Sequence, residues 1–311
     1  MSPLTRFEPT ESRLIPDQEP AAGRDVRDGS VYVFTPPTVL AVQVALATGR
    51  PLLLGGPPGS GKSSLAAYVA RFLNWNYFER VITSRTQAQD LQWTFDAVRR
   101  LRDATAGLTL TAGAYVEPGV LWWAFRPDLA HRRGFLDALP EGVPRPEPPG
   151  ELRGLELPGV VLLDEIDKAD PDVPNDLLVA LGSQRFRVTE TGDAVEARLA
   201  PLVCITTNHE RSLPAAFLRR CVVHMLEPPD HDRLVQIALA HFPRHQDRED
   251  LFDKTASRVE AIRAAAENPV LPSTAEYLDA VRACLELGVG PGDSELWKAV
   301  ERCVLRKQEL V

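Results

Sequence analysis

The stretch LLLGGPPGSGKS at residues 52–63 limits what this chain can fold into more than any other. Leu52, Leu53 and Leu54 run into a glycine-rich turn, and SLAAYVARFL follows with Leu65, Val69 and Leu73 at helical spacing. A short apolar strand, a turn of the form G-x4-G-K-S and a helix are the parts of a phosphate-binding loop. Backbone N–H groups must converge on phosphate oxygens there. Gly56, Gly59 and Gly61 therefore leave out the Cβ atoms that would block approach, with Pro57, Pro58 and Ser60 completing the turn. Lys62 is placed to reach the β/γ-phosphates, Ser63 to offer its hydroxyl to Mg²⁺, and Ser64 continues the positive end of the helix. An ordinary glycine-rich turn is the competing reading, and the full pattern between a strand and a helix disfavours it.

A strand covered on both faces reads as a continuous apolar run, and residues 160–163 (VVLL) are such a run. They end in Asp164 and Glu165, at the edge of a parallel sheet where ligands collect. With a phosphate loop upstream, Asp164 is the candidate holder of Mg²⁺ and Glu165 the group that polarises an attacking water. A helix cap or a solvated turn is the plainer alternative. The next buried strand, 201–207 (PLVCITT), ends in Asn208, whose amide is suited to help Glu165 align that water. Arg219 and Arg220 follow an apolar stretch. Arginine stabilises charge on a transferring phosphoryl group, but an Arg pair at a helix end also makes surface ion pairs, and chemistry alone leaves both open.

Alternation of buried strands with helices predicts an α/β architecture, a parallel sheet flanked by helices. From residue 229 the strands stop, and helices are expected over 230–240, 251–268, 273–287 and 294–306, a small all-helical domain. Upstream, residues 1–29 read as a loose polar arm, 31–34 (VYVF) as a strand, and 36–48 as a helix opened by Pro36 and Pro37. Tyr32 and Phe34 are candidates for the neighbourhood of a base or for core packing. Residues 77–82 are expected as a strand and 87–102 as one helix with Leu91, Phe95, Val98 and Leu101 on a common side. Trp122 and Trp123 are expected to pack rather than bind a ligand, and 128–158 is a long Pro-rich loop, partly mobile. A net charge of −8 disfavours nonspecific nucleic-acid binding and anionic membranes. Four scattered cysteines disfavour a zinc site or disulfide framework. No run is apolar and long enough to span a bilayer and the start has no signal-peptide pattern, so a cytoplasmic protein is expected.

The ordered set GGPPGSGKS, VVLLDEID, CITTN and AFLRRC resembles the AAA+ ATPases, within the branch represented by the MoxR family, over residues 32–306. The resemblance implies a P-loop NTPase fold with a helical lid at 229–311 after an α/β domain at 30–228, and ATP with Mg²⁺ as ligands. It implies Walker A roles for Lys62 and Ser63, Walker B roles for Asp164 and Glu165, sensor 1 for Asn208, and the arginine finger for Arg220 with Arg219 as its substitute. It also implies a homo-oligomeric ring, commonly a hexamer, whose finger reaches the neighbour's γ-phosphate. Residues 91–115 resemble the insert into the second helix and 186–199 the hairpin before sensor 1, both facing the pore or a partner. One departure is plain. The sensor 2 arginine of such proteins falls near residues 274–276, where this chain has Thr274, Ala275 and Glu276, and Arg282 lies two turns on.

The function implied is a ring ATPase that remodels or activates a client protein, in the manner of a chaperone, with a separate von Willebrand factor A domain protein as partner. Two alternatives stand beside it: an ATP-driven subunit of a nucleic-acid-processing or defence system, and a nucleotide-gated switch with little turnover. The acidic balance argues against the first, and Asp164, Glu165 and Asn208 argue against the second.

Overall fold

The apolar runs at 52–54, 160–163 and 202–205 become neighbouring strands, and a sheet covered on both faces hides them completely. The computed structural model describes Phe7 and residues 29–265, 271–292 and 294–306. In chain order the elements are α1 (Pro36–Thr48), β1 (Leu52–Gly55), α2 (Lys62–Leu73), β2 (Asn76–Val81), β3 (Trp93–Phe95), α3 (Ala97–Thr105), β4 (Val116–Pro118), α4 (Val120–Phe125) and α5 (Pro127–Ala130). There follow β5 (Gly150–Glu151), β6 (Gly159–Asp164), α6 (Val173–Ser183), β7 (Arg185–Arg187), β8 (Ala194–Glu196), β9 (Leu202–Thr207), α7 (Ala215–Leu218) and β10 (Val222–Met225). The helical region contains α8 (His231–His241), α9 (Glu249–Ala264), α10 (Thr274–Leu287) and α11 (Glu295–Val300), the last continuing into a wider turn, Glu301–Arg306. Among the described residues no helix is long and apolar enough to cross a membrane.

The main sheet has the order β10-β1-β9-β6-β2-β5. β1 pairs with β9, β9 with β6 and β6 with β2, all parallel, and only β5 is shown antiparallel, on β2. Parallel registry sets Gly55 beside Thr207 and Val81 beside Asp164, so the strands release their loops at one edge. α4 packs on this sheet with Trp122, Trp123 and Phe125 fully buried, as expected of packed rather than ligand-binding rings. Each such large side chain contributes roughly 1.5–3 kcal/mol over leaving it in water.

Residues 87–102 are not one helix. Gln89–Leu91 form a single 3-10 turn, Trp93–Phe95 pair antiparallel with Val116–Pro118, and α3 starts afresh with Asp96 accepting the Arg99 N–H at 2.8 Å. The β-prone WTF triplet and the Asp96 cap override the helical period. Leu91 is buried, whereas Val98 and Leu101 are 80% and 71% exposed. α3 instead turns its polar side inward. Asp103 is buried with Arg99 3.7 Å away, and the Arg99 guanidinium lies 5.4 Å from the Tyr115 ring centre. The insert is joined to the β7–β8 hairpin: Trp93 stacks on Phe186 at 5.6 Å and donates its indole N–H to Glu190 at 2.7 Å.

Three other expectations meet the structure differently. Residues 31–34 form no strand among the described residues. Of the polar arm, Phe7 is buried, its ring 5.0 Å from that of Phe72 and its carbonyl accepting from Gln43; apart from Gly29, the rest of that arm lies outside the described residues. The Pro-rich stretch is tied down by Arg133, 3% exposed, which donates to the carbonyls of Val116 and Pro144 at 2.8 Å and pairs with Glu117.

The chain divides into two compact units. One takes Pro37–Gly55 and Ala66–His224, hence the sheet. The other takes the glycine turn, Gly56–Leu65, with residues 29–36 and those from Met225 onward. The helical region has an apolar core of its own, including Leu234, Phe252, Val259, Tyr277, Val281 and Trp297.

Candidate functional site

Residues 56–61 wrap as a loop with positive φ at Gly56, Gly59 and Gly61, and at the first two of these a side chain would also collide. Gly56 has φ +143° and Gly59 φ +71°, and a Cβ added to them would collide with the Leu226 carbonyl and with the Ser273 side chain respectively. Pro57, Pro58 and Gly59 are exposed, and Ser60, Gly61, Ser63 and Ser64 half-buried. Lys62, first residue of α2, is buried and donates its ammonium to the carbonyls of Gly56 and Pro57, each at 2.9 Å. The ammonium is thus folded over the loop. The Ser60 hydroxyl is buried with no partner among the described residues. A Cβ-free cradle at a helix N-terminus, with a lysine across it and an orphaned hydroxyl inside, fits a polyphosphate. The Tyr32 ring lies against Gly61, and burial pushes its phenol up to about 12 against the pull of Arg233.

The sheet unit carries the acids. β6 pairs with β9 as far as Leu163 beside Ile205, and just beyond, the Thr206 hydroxyl donates to Asp164 Oδ1 at 2.6 Å and accepts the Glu165 N–H at 2.8 Å. Glu165 has φ +64°, a left-handed conformation costing about 1–3 kcal/mol in a residue with a side chain, and the Thr206 hydroxyl holds it. The Glu165 carboxylate is gripped from two sides. Asn208 Nδ2 donates to Oε1 at 3.2 Å, and Lys168 Nζ to Oε2 at 2.7 Å, a bond that raises the lysine's pKa. Buried Asp164 and half-exposed Glu165 therefore face different tasks: the first suits a cation, the second a water.

Arg219 and Arg220 leave the end of α7, which Phe217 anchors with a fully buried ring. Both are exposed, and neither guanidinium makes a hydrogen bond or ion pair among the described residues, so the surface-ion-pair alternative finds no partner there. At the start of α10, in place of a sensor 2 arginine, Ser273 and Glu276 form a capping box, with the Ser273 N–H donating to Glu276 Oε2 at 2.8 Å.

Residues 51–234 match the family described as AAA domain, dynein-related subfamily. The chain belongs to this family. It has the AAA+ P-loop fold, with a mostly parallel sheet flanked by helices and a helical C-terminal region. Similar solved structures include the Thermotoga maritima RuvB Holliday junction branch migration motor, 14% identical with a TM-score of 0.44, covering 85% of this chain and 66% of that one. Two variants of that RuvB are 16% and 14% identical, with TM-scores of 0.45 and 0.47. They cover 86% of this chain and 68% and 67% of theirs. This chain spans about two thirds of the length of these structures. No curated protein matches it significantly.

All candidate residues from Gly56 to Arg220 fall inside the AAA match. Three residues that frame the acids in this AAA domain were given no role by the sequence: Thr206, Lys168, and Asp167, the last residue of VVLLDEID. Thr206 had a faint signal, as one of two hydroxyl residues that end an apolar strand and the one in phase with Asn208 two residues on.

Proposed function

We propose that this AAA+ protein hydrolyses ATP with Mg²⁺, works as a homo-oligomeric ring in the manner of the MoxR branch, and uses the cycle to remodel a client protein. The observation that carries the hydrolytic reading is the setting of Glu165, with its backbone held left-handed by Thr206 and its carboxylate gripped by Asn208 and Lys168. A binding switch needs no such aiming of a base.

In this reading the loop N–H groups and Lys62 take the phosphates, and Ser63 and Asp164 hold the metal. A bound Mg²⁺ would supply positive charge to the phosphates. Glu165 accepts the proton of the water that attacks the γ-phosphorus, while the bond to the ADP oxygen breaks. Asn208 fixes the direction of that carboxylate. Arg220 stabilises the phosphoryl group of a neighbouring subunit, with Arg219 beside it; their exposure at the end of α7 supports use in trans. A separate von Willebrand factor A domain protein is the partner this reading names, and the cytoplasm its compartment.

ATP turnover per mole of protein, measured across protein concentrations, tests it. Turnover should rise with concentration and fall about 10³-fold or more in Arg220→Ala. Lys62→Ala should weaken ATP binding, and Glu165→Gln should bind ATP with turnover about 10²–10⁴-fold lower. A rate indifferent to concentration and to Arg220 would remove the ring from the proposal. Salt-sensitive binding to DNA would favour the nucleic-acid reading instead.

A further inference from the structure

The 3-10 turn Ile166–Lys168 directly follows the acidic pair, and its middle residue has no part in the chemistry above. Asp167 is 3% exposed. Its Oδ2 accepts two backbone N–H groups from the turn after β9, those of Asn208 at 3.1 Å and Glu210 at 2.9 Å. Between them His209 is left-handed, with φ +60°, a conformation that a residue with a side chain holds only when its surroundings impose it. The other oxygen, Oδ1, is buried and has no partner among the described residues.

A buried carboxylate is costly, and a turn on the surface of a sheet needs none. What Asp167 does hold is the backbone of Asn208, whose side chain reaches Glu165 Oε1 at 3.2 Å. The chain of contacts runs from Asp167 to the Asn208 main chain, to the Asn208 amide, to the carboxylate.

We propose that Asp167 is a positioning residue for Asn208, and through it sets where Glu165 Oε1 stands. This rests on the ATPase reading. Asp167 touches no reacting atom. Without it the 208–210 turn loosens, and the Asn208 amide no longer meets Glu165 in one geometry.

A double-mutant cycle in the full-length protein tests this, with kcat and KM for ATP measured on the native chain, Asp167→Ala, Asn208→Ala and the double variant. Asp167→Ala should lower kcat about 10- to 100-fold and leave KM within about twofold. Asn208→Ala should lower kcat by a similar factor, and the double variant should be no slower than Asn208→Ala alone. Asp167→Asn should restore most of the activity, since one amide oxygen accepts both N–H groups as Oδ2 does. Losses that multiply would overturn the proposal, as would an Asp167→Asn no better than Asp167→Ala. If Asp167→Ala does not fold, amide hydrogen exchange at residues 208–210 in Asp167→Asn decides. Protection and kcat must be kept or lost together, and one without the other refutes the link. Glu165→Gln in the same assay separates the two claims. A native chain no faster than Glu165→Gln ends the ATPase reading and this inference with it, whereas an active native chain with multiplying losses ends this inference alone.

Discussion

Thr206 makes two bonds with one hydroxyl, receiving the Glu165 N–H and donating to Asp164. Valine has nearly the same shape and can do neither. Thr206→Val should cost about 1–3 kcal/mol, because a buried N–H and a carboxylate oxygen lose their partner. It should also slow turnover by more than Thr206→Ser does; the urea midpoint and the turnover rate measured together check both parts. An unchanged midpoint would mean that water replaces the hydroxyl. The difference between what sequence made legible at this scale and what it did not is plain in these residues. Lys62 and the glycines sit in one continuous motif whose order follows from the geometry of phosphate binding. Asp164 and Glu165 announce themselves as charges at the end of an apolar run. Thr206 and Asp167 act across strands, on partners 41 to 43 residues away, and such pairings exist only once the register is known.

Elements whose period matched one environment were legible, and those facing two were not. β6 and β9 are buried throughout and apolar until their last residues, Asp164 in β6 and Thr206 and Thr207 in β9. The 87–102 stretch has a helical period that the structure does not use, because the insert pairs WTF with VEP and then spends the next helix on an ion pair rather than on its aliphatic residues. The end of α11 shows a second polar device. Glu301 is buried between Arg258, at 2.8 and 2.6 Å, and Arg306, at 2.6 Å. The Arg258 bond above all, against the opposing effect of burial, holds its carboxyl below the usual range. A lowered folded pKa means stability that is present above the ordinary carboxylate pKa and lost as pH falls through the folded one. Glu301→Gln should therefore destabilise the helical region by roughly 1–3 kcal/mol at pH 7. The gap to the native chain should narrow progressively as the solution is made acid, as thermal unfolding followed from pH 7 downward would reveal.

At the scale of the whole chain, the sheet residues and the helices after residue 230 build separate apolar cores. Two cores predict two calorimetric transitions rather than one. Phe252→Ala should lower one of them by about 3–5 kcal/mol and leave the other in place. A single transition that shifts as a whole would show that the cores unfold together. The change from alternating strands to helices alone was legible from composition and period; the grouping of the glycine turn with the residues after 225 was not, since it depends on contacts such as Gly59 with Ser273. The Pro-rich stretch, for which sequence offered no role, delivers Gly150–Glu151 onto the outer side of β2, and the Pro149 carbonyl accepts the Glu79 N–H at 2.9 Å. A proline has no N–H to offer in return. The margin of the sheet on that side therefore ends in a strand two residues long, preceded by residues that accept but cannot donate. A foreign chain finds no template there, and the stretch guards the molecule against edge-to-edge aggregation.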